Sequence, residues 1–254
     1  MPNNISRSKA FYSIKTATEK EGNLFFIEYN ILLKTIESVN NFSILYKGSR
    51  TGVRGGPYTH RQQDLYRAML VFACAGLDVF VKELVRHKLP QLIKKDKEVE
   101  KKFREYVERE IKKDDKRTLN MVALALINDK PRDVFLGEYI LSMTGSSLQS
   151  VEELMKVANA SGLNTNKIFD SRKKSQIKDA FIARNQIIHE MDINIDQSPS
   201  KTSAYRTRRQ RVAKKMEINT KSILRLAEEI FLAYKEQFKK FEIIDIEKKS
   251  NAAN

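Results

Sequence analysis

A chain of 254 residues, 41% apolar and 9% aromatic, is long enough for one domain of about 150 residues plus a large appendage, and its core needs no disulfide. Cys74 is the single cysteine, which excludes a disulfide framework and any multi-cysteine zinc or iron–sulfur site. Forty-seven Lys and Arg against 32 Asp and Glu give a net charge of +15, a balance that calls for a polyanionic partner, nucleic acid first and an anionic membrane surface as the alternative.

The three histidines, His60, His87 and His189, are far apart in sequence, so neither a metal site nor a cofactor is expected. Met1 to Glu21 has no apolar run of the signal-sequence type. The most apolar stretch, Ala68 to Val81, is too short for a bilayer span and contains Asp78. No membrane partner is expected, and a cytoplasmic location is the default.

In chain order, residues 1–22 read as an N-terminal arm. From about Asn23 to Tyr46, Leu24, Ile27, Ile31, Ile36 and Val39 recur near helical spacing. Gly48 to Pro57 is a flexible basic connection. Its Arg50 and Arg54 suit either RNA contact or a plain linker, and it lacks the Lys-Ser/Thr ending and preceding strand of a P-loop. Thr59 is placed to cap a helix reaching about His87, with Leu65, Met69, Phe72, Gly76, Val79 and Phe80 as its apolar stripe. Pro90 is expected to end it. Between Pro90 and Lys116 charges dominate, which reads as a solvated helix or a surface excursion.

Arg117 to Ile127 is apolar again. Pro131 suits the first position of a helix through Met143, and Ser150 with Glu153 fits a capping box. Ser161 to Thr165 reads as a loop. Asp170 or Ser171 is placed to cap a helix ending near Met191, with Ile177, Ala180, Phe181, Ile182, Gln186 and Ile187 on it. Asp192 to Ser203 reads as a loop. A last helix is expected from about Ala204 to Phe241, with Phe241 to Ile246 a candidate short strand and 243–254 a flexible C-terminal tail. The fold class is all-α. Cys74, inside the apolar stripe, reads as a buried inert thiol, and His60 and His87 as surface residues.

The segment Ala183-Arg184-Asn185-Gln186-Ile187-Ile188-His189-Glu190 carries the chemistry. A helix advances about 100° and 1.5 Å per residue, so Asn185 and His189 share a face, and Arg184 lies roughly 140° around and about 7.5 Å along from His189. An arginine stem is long enough to bring its guanidinium back. This triplet suits RNA cleavage without metal. An imidazole, ordinarily titrating near ~6.5, takes or gives a proton near neutral pH. A guanidinium holds phosphate oxygens bidentately. Asn185 would orient His189 or donate to phosphate. The bland alternative is a surface arginine and a partly buried histidine at a helix end.

RNQIIH resembles the Arg–polar–x-x-x-His signature of the HEPN superfamily, small helical domains found in many prokaryotic ribonuclease toxins and phage-defence proteins. Its setting is similar too, in a late helix after a long apolar one whose centre reads Arg67-Ala68-Met69-Leu70-Val71-Phe72-Ala73-Cys74-Ala75-Gly76-Leu77-Asp78. The resemblance implies a HEPN-like helical bundle over 23–242, with 90–165 an additional helical insertion. It implies a homodimer joined near the signature helix and a composite site there. It also implies metal-independent endoribonuclease activity, with Arg184 and His189 as the catalytic pair and Asn185 in support. The biological setting it implies is a toxin or an abortive-infection effector, with an antitoxin or defence-system protein as a further partner. Branches silenced by nucleotidylation carry a tyrosine two residues after the histidine; Met191 stands there in this chain, so that regulation is not expected. Asp78 and Glu83 fit positions where relatives carry acids, with no role assigned.

The run Tyr205 to Lys215 contains Arg206, Arg208, Arg209, Arg211, Lys214 and Lys215 with no acid between them. It reads either as a solvated helix face or as a phosphate-gripping strip for RNA, with Tyr205 available for stacking. The rivals to the ribonuclease are a non-catalytic RNA-binding or scaffold protein of the same fold and a helical DNA-binding regulator.

Overall fold

The computed structural model describes residues 24–50, 58–113, 115–193 and 208–252, with side chains through residue 241. The expected N-terminal arm, Arg54, Tyr205 and Arg206 lie outside the described residues. These residues form nine α-helices and no strand. They are α1 (Phe26–Ser49), α2 (His60–Lys95), α3 (Lys97–Ile111), α4 (Lys116–Ile127), α5 (Pro131–Thr144), α6 (Val151–Ala160), α7 (Thr165–Ile168), α8 (Ser171–His189) and α9 (Ala213–Ala252). No helix among them is long and apolar enough to cross a membrane. The chain divides into two compact units with boundaries at 80/81, 169/170 and 228/229, and the expected insertion, 90–165, falls inside the second.

In the first unit, α2 opens on a reciprocal cap. The Gln62 amide donates to Thr59 Oγ1 (3.3 Å), and the Thr59 amide donates to Gln62 Oε1 (3.1 Å). Each satisfies a backbone donor that a helix start leaves unpaired. Leu32, Ile36 and Val39 of α1, Leu70, Ala73, Cys74 and Leu77 of α2, Ile177, Ala180 and Phe181 of α8, and Ile223 and Leu226 of α9 are all buried. Gly76 permits a close approach: a Cβ there would lie 2.1 Å from Thr35 Oγ1 and 2.7 Å from Thr35 Cβ. Gly76→Ala gains about 1 kcal/mol of helix propensity, and overpacking a close contact costs about 1–3 kcal/mol. The second effect is the larger because Thr35 Cβ sits on the helix and cannot swing aside. A lower urea midpoint is expected; an unchanged midpoint would show that the α1–α2 contact yields freely.

The second unit departs most from the sequence expectations. Pro90 does not end α2, which continues to Lys95 with the proline inside it. An interior proline costs about 3 kcal/mol. Beyond it Leu92 and Ile93 are 0% and 2% exposed, and burying two such side chains returns about 1.5–3 kcal/mol each, so continuing wins. Of the two readings of the following segment, a solvated helix and a surface excursion, the helix is the one found, and it is anchored by a buried face. Asp96 ends α2 by capping α3, accepting from the amides of Glu98 (2.9 Å) and Val99 (3.3 Å). Val99, Phe103 and Tyr106 then form a buried face at three- and four-residue spacing. These three of the segment's sparse apolar residues share one side, while Ile111 at the helix end is exposed.

Pro131 opens α5 as expected, and Ser150 Oγ accepts from the Glu153 amide (3.1 Å) at the start of α6. The expected loop at Ser161 gives way to a short helix at Thr165. Ser161 and Tyr234 share a buried hydroxyl–hydroxyl hydrogen bond of 2.6 Å. The last helix begins at Ala213, nine residues later than expected from Ala204, and runs to Ala252. The candidate strand at Phe241–Ile246 is thus helical, and so is most of the expected tail. No glycine or proline follows Phe241, so nothing local stops the helix.

Candidate active site

Asp170 starts α8 by accepting from the Lys173 amide (2.8 Å). Ile177, Ala180, Phe181 and Ala183 turn inward. The opposite stripe carries Ile182, Asn185 and His189, all exposed, at spacings of three and four. His189 is the last helical residue, and its imidazole makes no hydrogen bond or ion pair with another described residue. Ile188 and Met191 beside it are 38% and 64% exposed.

Arg184 and Asn185 are brought together. Arg184 Nη1 donates to Asn185 Oδ1 at 2.9 Å. The arginine is half-buried, and its Nε is buried with no hydrogen-bond partner among the described residues. Its charge reaches Cys74: burial pushes the thiol up to about 12, against a downward pull from Arg184. The thiol is buried, as expected, and its raised pKa disfavours the reactive thiolate. The carboxamide of Asn185 therefore holds the arginine and does not hold the imidazole.

The chain after His189 turns sharply. Met191 and Asp192 both take the left-handed conformation, with φ of 51° and 57°, at about 1–2 kcal/mol each for non-glycine residues. Gln186 O accepts from the amides of both Glu190 (3.2 Å) and Asp192 (2.9 Å). The turn is held by Asp192, whose carboxylate is fully buried. It accepts from Arg67 Nε at 2.7 Å and from Arg211 Nε at 3.0 Å. Arg67, itself 3% exposed, also donates to Asp64 Oδ1 (3.0 Å) and to the Arg209 carbonyl (2.8 Å). Arg211 Nη2 reaches Gln186 Oε1 at 2.8 Å. Burial alone would raise the Asp192 pKa; the hydrogen bonds from Arg211 and Arg67 overcome it and hold the carboxyl below its usual value.

This clasp also redefines the basic run. Arg208 pairs with Asp64 (2.9 Å), Arg209 with Glu190 (2.6 Å), Arg211 with Asp192, and Lys215 with Asp179 (2.6 Å). Arg209 N donates to Asp192 O at 2.7 Å, and Arg208 bridges to Ile193, which keeps 208–212 out of the helix expected there. Of the proposed RNA-binding residues described, Lys214 alone is exposed with no partner among the described residues. The others stand as one-carboxylate pairs, and Arg209 and Arg211 keep only 19% and 16% of their side-chain surface open.

His60 is exposed and His87 half-buried. Glu83 pairs with Arg86 and lies 3.6 Å from His87, a surface cluster in the second unit. Among the described residues no three His, Cys, Asp or Glu side chains gather as a metal site. The chain matches no family model, no characterised protein and no solved structure.

Proposed function

We propose that this chain is a metal-independent endoribonuclease of the HEPN type that cleaves single-stranded RNA, acting in the cytoplasm as a toxin or an effector of antiviral defence. The observation that carries the reading is the open imidazole of His189 at the end of α8, one turn beyond the residue that grips Arg184. In the proposed reaction His189 takes the proton of a ribose 2′-hydroxyl. The 2′-oxygen attacks the adjacent phosphorus, and the 5′-oxygen leaves with the proton that the imidazolium returns. The product is a 2′,3′-cyclic phosphate, which water opens. Arg184 stabilises the charge on the phosphate oxygens. Asn185 steadies that guanidinium, and its NH2 group remains to donate.

A homodimer fits this reading. Ile182, Ile188 and Met191 expose 46%, 38% and 64% of their surface around His189, and a second copy would cover them and bring its own Arg–Asn–His set. A neutralising antitoxin or a defence-system partner belongs to the same proposal. Lys214 remains the phosphate contact of the basic strip, with the half-exposed Arg208 and Lys215 at its side. The second reading, a non-catalytic RNA-binding protein, is favoured by the half-buried setting of Arg184.

The test is cleavage of labelled single-stranded RNA in EDTA. A cut leaving the cyclic phosphate or its hydrolysis product is expected. No cleavage, loss of cleavage in EDTA, or equal cutting of DNA overturns the mechanism.

A further inference from the structure

The second unit carries a cleft of about 580 Å3 between α3 and α5, within the range of pockets that hold small organic ligands. Lys97, Lys101 and Arg104 line it at spacings of four and three on one face of α3. All three are exposed, and none forms an ion pair with another described residue. Arg132 lines the other side, bonded to Glu100 at 3.1 Å, with its guanidinium 6.0 Å from the centre of the Phe103 ring. Glu100 is the single acid of the lining, against four cations. The apolar wall includes Phe103, 6% exposed, and the half-buried Phe135.

Cations in a row beside an aromatic wall match the alternation of phosphates and bases in a single strand. A protein ligand of acidic side chains would use the row and have no use for the rings. We infer that this cleft docks single-stranded RNA, with phosphates along Lys97, Lys101 and Arg104 and a base against Phe135. The inference rests on the ribonuclease reading only for its purpose, as a substrate-docking site on the inserted region; binding itself is independent of cleavage.

The experiment uses full-length His189→Ala protein and a fluorescent oligouridylate, read by anisotropy across a salt series. The triple variant Lys97→Gln, Lys101→Gln, Arg104→Gln is expected to lose roughly tenfold in affinity. Its log–log salt slope should fall by about 2, three phosphates at about 0.7 each. Phe135→Ser should lose about fivefold or more, and Phe135→Tyr should restore it, because stacking survives in the second and not the first. Parental affinity in both the triple variant and Phe135→Ser overturns the inference. Competition by polyglutamate as strong as by unlabelled RNA overturns it in favour of an acidic protein surface. Competition by free uridine monophosphate as strong as by the oligonucleotide overturns it in favour of a mononucleotide site. A parent chain that never cuts RNA while the variants lose binding would sink the ribonuclease and leave the cleft standing.

Discussion

His189→Ala is expected to slow RNA cleavage by about 10²–10⁴-fold, the usual worth of a general acid–base group, and to leave thermal stability within about 0.5 kcal/mol, as for exposed residues that pack against nothing. Single-turnover cleavage of a labelled single strand and a thermal melt read the two together. Arg184→Ala should fall as steeply, by about 10²–10³-fold, because stabilising charge on the attacked phosphate is as large an effect. Arg184 is half-buried beside Cys74, so its melt is the needed companion. Arg184→Lys retains the charge without the planar fork and should recover only part of the rate. Asn185→Ala should cost less than either, since the carboxamide acts by holding Arg184. A His189→Ala protein that cuts at the parental rate would remove the imidazole from the chemistry.

Asp192→Asn is expected to destabilise the fold by about 3–5 kcal/mol, the usual result of stripping one partner from a buried ion pair. The carboxylate has no exposure and serves two guanidiniums, so the substitution leaves Arg67 buried against a neutral amide. The same variant carries a pH signature. The carboxyl is held below its ordinary value, so the folded state binds a proton there less readily than the unfolded chain. That contribution is fully present above an unfolded aspartate's pKa of about 3.9 and disappears as pH falls through the lower folded value. Urea midpoints compared at neutral pH and near pH 3 should therefore differ less for Asp192→Asn than for the parent. Parallel acid profiles would mean that Asp192 does not carry the linkage. The consequence for the site is local, since Asp192 sits three residues beyond His189 and fixes the left-handed turn that follows it.

Most helices were legible because their signals are local. Thr59, Ser150 and Asp170 cap where a small polar side chain precedes an apolar period, and Pro131 sits where its missing amide costs nothing. Gln62, which completes the cap at Thr59, was readable as the fourth member of a Thr-x-x-Gln box. Pro90 misleads because the residues that override it, Leu92 and Ile93, gain their value only from tertiary burial. The face of α3 was hidden by its charges, since five apolar residues in fifteen look sparse until Val99, Phe103 and Tyr106 are seen to share a buried side.

In the site, the spacing of Arg184, Asn185 and His189 was plain, and the Arg184–Asn185 bond was not. The clasp on Asp192 escaped notice because Arg67 and Arg211 lie 125 and 19 residues from it. The one available sign was an arginine set directly before the most apolar stretch, Ala68 to Val81, where a guanidinium needs a carboxylate to remain. The ion pairs of the basic run were hidden for the complementary reason: its acids, Asp64, Asp179, Glu190 and Asp192, come from elsewhere in the chain.

Those four pairings change how an approaching polymer feels the molecule. A cation locked to a carboxylate acts from afar as a dipole, whose field decays faster with distance than that of a lone charge. The surplus of +15 is therefore felt at long range through Lys214 and through the lysines and arginines outside these four pairs. For the proposed RNA ligand, recruitment and positioning then fall to different parts of the surface, with the paired residues of the strip contributing only once contact is made.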